Sequence, residues 1–287
     1  MAFTKKPQAP IKTLDARPSP DTMVKPGELI DVVEITPLTL TDRRVYNALI
    51  ENAWDRIEQP VTHSIPKRQL RGTRDANDRL GESVERLMAS IARLEIERDG
   101  RRYIRRVQLL GTTDEGRGDD GTLYYRFPGE LRAIIRQSNV FARLQKDVIF
   151  ALTSKYSLCL YEVCKKRVNL SHKWSEEIPL DRFRQMLGVE PGKLKEFKHF
   201  NLRAIQPAVI EVNGLSDLGC KLEPVTAGRK VTAVRLSWWK KNIDENKAAY
   251  RDLQTARAGR MARLKGTAER ILPDDEKLTF PSPKPRP

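Results

Sequence analysis

Ser154-Lys-Tyr-Ser-Leu-Cys-Leu-Tyr-Glu-Val-Cys-Lys-Lys-Arg167, followed by Ile178-Pro-Leu-Asp-Arg-Phe-Arg-Gln-Met-Leu-Gly188, carries the pattern from which the architecture follows. With the residues that follow it to Lys241, it spells helix, short strand, short helix, longer helix, then two strands around a tight turn. Lysine and arginine fall on the longer helix and on the hairpin. In a winged helix these are the segments turned toward duplex DNA, so the order of elements predicts that fold here.

Composition agrees. The formal net charge is +15 over 287 residues, and each phosphate that such a surface neutralises releases condensed counterions. Charge alone does not separate nucleic acid from an anionic membrane surface. The chain is long enough for two ordinary domains, and 39% apolar residues suffice for packed cores. No apolar run approaches the ~20 residues that span a bilayer. The first residues, Met1-Ala-Phe-Thr-Lys-Lys-Pro7, lack the apolar core of a signal peptide, so a reducing bacterial cytoplasm is the expected location. Cys159, Cys164 and Cys220 match neither zinc-ribbon nor redox spacing and read as small buried residues. No cofactor or metal is expected.

Residues 1–36, with Pro7, Pro10, Pro18, Pro20 and Pro26, read as a flexible leader, and residues 273–287 as a disordered tail. Between them one plan is stated twice. Thr39-Leu-Thr-Asp42 forms a capping box for a helix with Val45, Leu49, Ala53 and Ile57 on one face. Ile65-Pro66 gives a short strand. Asp78 to Leu94 follows as a helix striped by Leu80, Val84, Leu87, Met88 and Ile91. Strands at Leu94–Glu97, Tyr103–Leu110 and Leu123–Phe127 come next, with a Gly-rich connection over 111–121. The second copy repeats the order through Ile178-Pro179, a short helix at 180–187, a long helix at about 193–212, and strands at 220–225 and 230–238. The expected architecture is therefore α+β, two tandem winged helices at 37–142 and 143–241, then a basic helix at 242–272.

The residues from Ser154 to Lys241 resemble the C-terminal winged helix of iteron-binding plasmid replication initiators. Ser154-Lys-Tyr156, Leu160-Tyr-Glu162, the run Phe200 to Asn213 and Gly228-Arg-Lys230 carry the likeness, and Leu38 to Arg136 resembles that family's N-terminal unit more distantly. The resemblance implies two winged helices gripping one short, directly repeated origin site. It also implies a homodimer through the N-terminal unit that represses its own promoter, and monomers that open the origin and recruit host replication proteins such as the helicase.

Candidate contacts follow from the long helix. With Leu194 taken as the centre of its buried face, Phe197, Ala204, Ile205, Ala208 and Val212 fall nearby, while Lys195, His199, Arg203 and Gln206 lie opposite. Arg203 suits guanine and Gln206 suits adenine in a major groove, and Lys193, Lys195 and Lys198 near the helix start suit phosphates. A merely solvated polar face stands as the alternative, and for His199 both readings stay open. Pro207 predicts a bend just before it. Arg229 and Lys230 in Thr226-Ala-Gly-Arg-Lys230 form a basic hairpin tip. In the N-terminal half Arg101, Arg102 and Arg105, with Arg98 and Arg106, form a second basic strand. Trp238 and Trp239 alternate, one toward the core. The basic helix after residue 242 fits either a cover for the second domain or an arm along DNA.

Catalysis has no support in the sequence. His63, His172 and His199 are far apart and form no metal-binding pair beside a tyrosine, as a nicking enzyme needs, and no phosphate-binding glycine loop occurs. A replication initiator without chemistry of its own is the favoured reading. A winged-helix repressor is the runner-up, and a nicking enzyme a distant third.

Overall fold

The computed structural model describes residues 12–30, 33–34, 36–70, 77–116, 121–170 and 172–267. The tail expected at 273–287 lies outside them, as do residues 1–11 of the expected leader.

The first strand, β1 (Thr22–Pro26), precedes a short β2 (Val33–Glu34) and helix α1 (Leu40–Ala53). The capping box forms as read: Asp42 N–H donates to Thr39 Oγ1 and Thr39 N–H to Asp42. Val45, Leu49, Ala53 and Ile57 are all buried. Strand β3 (His63–Pro66), the single turn α2 (Lys67–Leu70) and helix α3 (Asn77–Ala89) follow. Arg86 of α3 forks onto Asp42, 2.9 and 3.0 Å from its two oxygens, tying α3 to the start of α1. Burial raises the Asp42 pKa, but hydrogen bonds from Arg86, Ser83 and Thr39 outweigh it and hold the carboxyl below its ordinary value.

Helix α3 stops at Ala89, short of the expected Leu94. Ile91 opens β4 (Ile91–Arg98), which pairs along its length with β5 (Arg101–Gln108). Ile91 continues the helical stripe in sequence, yet Ala92 and Leu94 are buried while Ile91 and Arg93 are exposed, the alternation of a strand. Part of the expected Gly-rich connection is β6 (Thr113–Glu115), paired with β7 (Thr122–Tyr125). Residues 117–120 lie outside the described residues. Sheets run β2-β4-β5 and β3-β7-β6.

Helix α4 (Gly129–Gln137), strand β8 (Phe141–Gln145) and helix α5 (Lys146–Ala151) connect the two units. Strand β8 pairs with β1 from Thr22↔Gln145 to Pro26↔Phe141, so the expected cut at 142/143 falls inside a strand. It also removes most of the leader. Ala16, Met23, Val24, Leu29 and Ile30 are core residues, because this stretch buries apolar side chains despite its prolines and charges.

The second unit runs α6 (Lys155–Arg167), β9 (Ser175–Pro179), α7 (Leu180–Met186), a helix in segments α8 (Phe197–Phe200) and α9 (Gln206–Leu215), then β10 (Leu218–Ala227) and β11 (Lys230–Lys240) in sheet order β10-β11-β9. The first strand of this unit pairs with the second strand of the hairpin, and in the first unit β3 likewise pairs with β7 of the β6–β7 hairpin. The duplication therefore extends from element order to strand pairing. Cys159, Cys164 and Cys220 are buried thiols, and the Cys164 thiol, hydrogen-bonded with Cys220 and shut from water, is pushed well above its ordinary pKa.

The units share buried polar contacts. Lys25 of β1 reaches Glu162 of α6, which also accepts from Asn47 of α1 at 3.0 Å. Gly188, after α7, admits Arg43 of α1 so closely that a Cβ there would lie 2.5 Å from the guanidinium.

The expected basic helix is two helices, α10 (Ile243–Gln254) and α11 (Arg260–Leu264), and its arginines mostly serve the fold. Arg257 donates to the carbonyl of Phe150 at the end of α5, where Arg44 also donates to Phe150 and Leu152. Arg260 binds Leu253 and Thr255 carbonyls, and Arg263 binds those of Ala256 and Ala258. Leu264 closes over Gly214 of α9. Of the two readings left open by the sequence, a cover over α9 is the one these contacts favour.

Candidate nucleic-acid interface

The long helix starts at Phe197, not near residue 193. Leu194 stands in the preceding turn with φ +48°, a left-handed conformation that costs a bulky residue of order 1–3 kcal/mol. Arg184 of α7 holds the turn by donating to the carbonyls of Leu194 and, at 2.8 Å, Lys195, while its guanidinium lies 4.5 Å above the Phe200 ring. Burial lowers the Arg184 pKa, Asp181 opposing it. Lys193 and Lys195 are thus exposed at the mouth of the helix rather than on its flank.

Between α8 and α9 the helix takes one wider turn, a π-helical Asn201–Ile205, in which Gln206 N–H donates to the carbonyl of Asn201. The bend expected before Pro207 takes this form. Pro207 has no N–H for the carbonyl of Arg203 and its ring crowds that carbonyl, so the extra residue absorbs the clash. Phe200, Ala204, Ile205 and Ala208 face the core, while Lys198, His199, Leu202, Arg203 and Gln206 face out. Among the described residues the side chains of Lys198, Arg203 and Gln206 have no protein partner. His199 Nδ1 lies 3.7 Å from Glu196.

The β10–β11 hairpin reverses at Gly228-Arg229. Lower down, Lys221 pairs with Glu223 at 2.8 Å and Arg235 with Glu177 at 3.5 Å. Lys221 and Arg235 are thus paired along the hairpin, while Arg229 and Lys230 are exposed at its tip and Lys240 at its base. Trp238 is in the core, and Trp239, on the other face, lies over Gly219.

The β4–β5 hairpin turns at Asp99-Gly100, both with positive φ (53° and 70°), the pattern of a type I′ turn. Its register sets Arg93 opposite Arg106. Like charges directly opposite destabilise a ladder, and an anion along the hairpin relieves them. Alternation places Arg101 and Arg105 on one face and Arg102 and Arg106 on the other, so the three expected arginines do not make one patch.

Sequence reasoning missed two residues. Arg184 could have been found only as one of several charges in the short helix, since its work is on a turn ten residues later. Leu202 was passed over as apolar, although two residues from buried Phe200 and Ala204 it must point outward.

Among the described residues, no helix is long and apolar enough to cross a membrane and no group of side chains is placed to hold a metal ion. No match was found among curated proteins. The chain is similar in structure to the Pi initiator protein crystallised in complex with iteron DNA, at 16% identity over 77% of this chain and 98% of that one, TM-score 0.49. It is similar also to domains 2 and 3 of RctB, at 13% identity over 70% and 82%, TM-score 0.37. The family descriptions are more direct: Initiator Replication protein, WH1, matches residues 22–165, and Initiator Rep protein, WH2, matches 179–238. The first match takes in β1 and α6, joined by Lys25 and Glu162, and β8, which pairs with β1. With two winged helices in tandem and half of its length in the first match alone, the chain belongs to the Rep3 family of plasmid replication initiators, DNA-binding proteins without enzymatic activity.

Proposed function

We propose that the chain binds iterons, short direct repeats in a plasmid origin, with the Phe197–Leu215 helix in the major groove and the β10–β11 tip on adjacent backbone. The observation that carries this reading is the row of exposed polar side chains, Lys198, Arg203 and Gln206, which have no protein partner among the described residues, beside a hairpin whose tip exposes Arg229 and Lys230. Arg257, Arg260 and Arg263, by contrast, are engaged on backbone carbonyls. Lys193, Lys195, Arg229 and Lys230 hold phosphates in this reading; Arg203 and Gln206 read bases; Arg101, Arg102 and Arg105 give the first unit its grip.

The domains in this proposal are the two winged helices, with α6 serving both. The protein acts in the bacterial cytoplasm, represses its own promoter as a homodimer through the N-terminal unit, and as a monomer recruits the host helicase. Affinity measured for repeat and scrambled duplexes of about two helical turns across a salt series tests the DNA reading. The expected result is tighter binding to the repeat and a steep loss with salt. Equal affinity for both duplexes, or a flat salt response, overturns it.

A further inference from the structure

Leu202 is 58% exposed at the centre of the outward face of the long helix. It lies between Lys198 and His199 one turn before it and Gln206 one turn after it, with Arg203 beside it. Every neighbour on that face is long and polar. The wider turn at Asn201–Ile205 carries it, and buried Phe200 and Ala204 on either side fix its outward direction. We propose that Leu202 is a specificity-determining residue that reads the 5-methyl group of a thymine in the major groove.

The chemistry is specific. In the major groove the thymine methyl is the apolar feature among hydrogen-bonding base edges, and apolar side chains recognise it by contact. Arg203 and Gln206 satisfy polar edges, whereas a leucine at the middle of the same face has nothing to offer them and would strip their water without replacing it. An apolar group at that position is matched by a methyl. The inference rests on the groove-reading assignment of this helix. It adds that at least one thymine of the site is selected by its methyl group rather than by its hydrogen-bonding edge.

Deoxyuridine differs from thymidine in that methyl alone, so it isolates the contact. Duplexes are selected from a random library with the full chain, and each thymine of the enriched duplex is replaced in turn by deoxyuridine. Binding is then measured for wild type, Leu202→Ala and Leu202→Met. For wild type, one or two replacements should weaken binding about fourfold, the worth of one methyl removed from contact. Leu202→Ala should bind thymine and deoxyuridine duplexes equally, and Leu202→Met, which keeps an apolar reach, should retain part of the discrimination. Unchanged circular dichroism shows that the variants are folded, as substitution at an exposed position predicts. The inference is overturned if no replacement affects wild type, or if the sensitive thymine is as sensitive in Leu202→Ala. If no duplex is enriched, the DNA-binding reading itself fails, and this inference with it.

Discussion

Lys25 Nζ lies 2.8 and 2.9 Å from the two oxygens of Glu162, with 3% and 2% of these residues exposed, and so joins the first strand to the first helix of the second unit across 137 residues of chain. Two charges drawn out of water repay their desolvation only when both are present. Glu162→Leu should therefore cost about 3–5 kcal/mol by leaving the ammonium uncompensated, and Asn47 loses its acceptor too. The double variant Lys25→Met/Glu162→Leu should recover most of that loss. Urea unfolding of the three proteins decides it: a single variant as stable as wild type means that the pair does not hold the junction.

Arg203 and Lys230 separate reading from holding. Arg203→Ala should lose about 1–3 kcal/mol on the repeat and relax base preference, while Lys230→Ala should weaken repeat and scrambled duplexes alike and shallow the salt dependence. Equal losses for both variants on both duplexes would show that the outward face of the helix is not the reading face.

How legible these sites were depends on how local their causes are. The Thr39 capping box needs only its own turn, and α1 came out as read. Ile91 satisfied the helical period of α3, but β4 forms because β5 lies alongside it, a cause outside the window in which periodicity is judged. Residues 1–36 read as a flexible proline-rich leader, yet Lys25 is buried there, held by Glu162 far along the chain. Leu194 was taken as the centre of a helix face and is not in the helix at all, because the turn around it is held from α7 by Arg184. The polar face survived that error in Arg203 and Gln206, whose directions the buried Ala204 and Ala208 also fix, whereas Lys195 moved to the turn and Leu202 was missed.

His63 offers a pH handle on the first unit. It is buried, its ring 5.3 Å from that of Tyr125 and 6.0 Å from that of Phe127, and burial, with Arg56 and Arg132 adding to it, lowers its pKa. A base whose folded pKa is depressed takes up its proton more readily in the unfolded chain. Stability should therefore be full above about pH 6.5 and decline as pH falls from there toward the folded pKa. His63→Phe should remove that part of the decline. Melting temperatures at about pH 7.5 and about pH 5.5 for both proteins test it, and an identical drop in the variant would rule His63 out as the source.

The last prediction concerns self-association through β5, the edge strand of its sheet. Val107 of β5 and Leu109 just after it are core residues, 4% and 1% exposed, so Leu109→Lys would bury a charge and unfold the unit rather than report on an interface. Tyr103 and Ile104 are the apolar residues that β5 leaves at the surface, Ile104 at 61% exposure. An unpaired edge with exposed apolar side chains is a template for a second copy, and Arg101, Arg102 and Arg105 on the same strand are the expected DNA contacts of this unit. Ile104 shares its face with Arg102 and Arg106, so dimer and repeat DNA should compete at that face. Ile104→Lys adds a charge at an exposed position without touching the core or the backbone donor. Sedimentation should show a concentration-dependent dimer for wild type, a monomer for Ile104→Lys with an unchanged melting temperature, and loss of the wild-type dimer when repeat DNA is added. A wild type that stays monomeric at tens of micromolar, or a dimer indifferent to Ile104→Lys, would remove β5 from the interface and leave the chain as a monomeric clamp with two DNA-binding units.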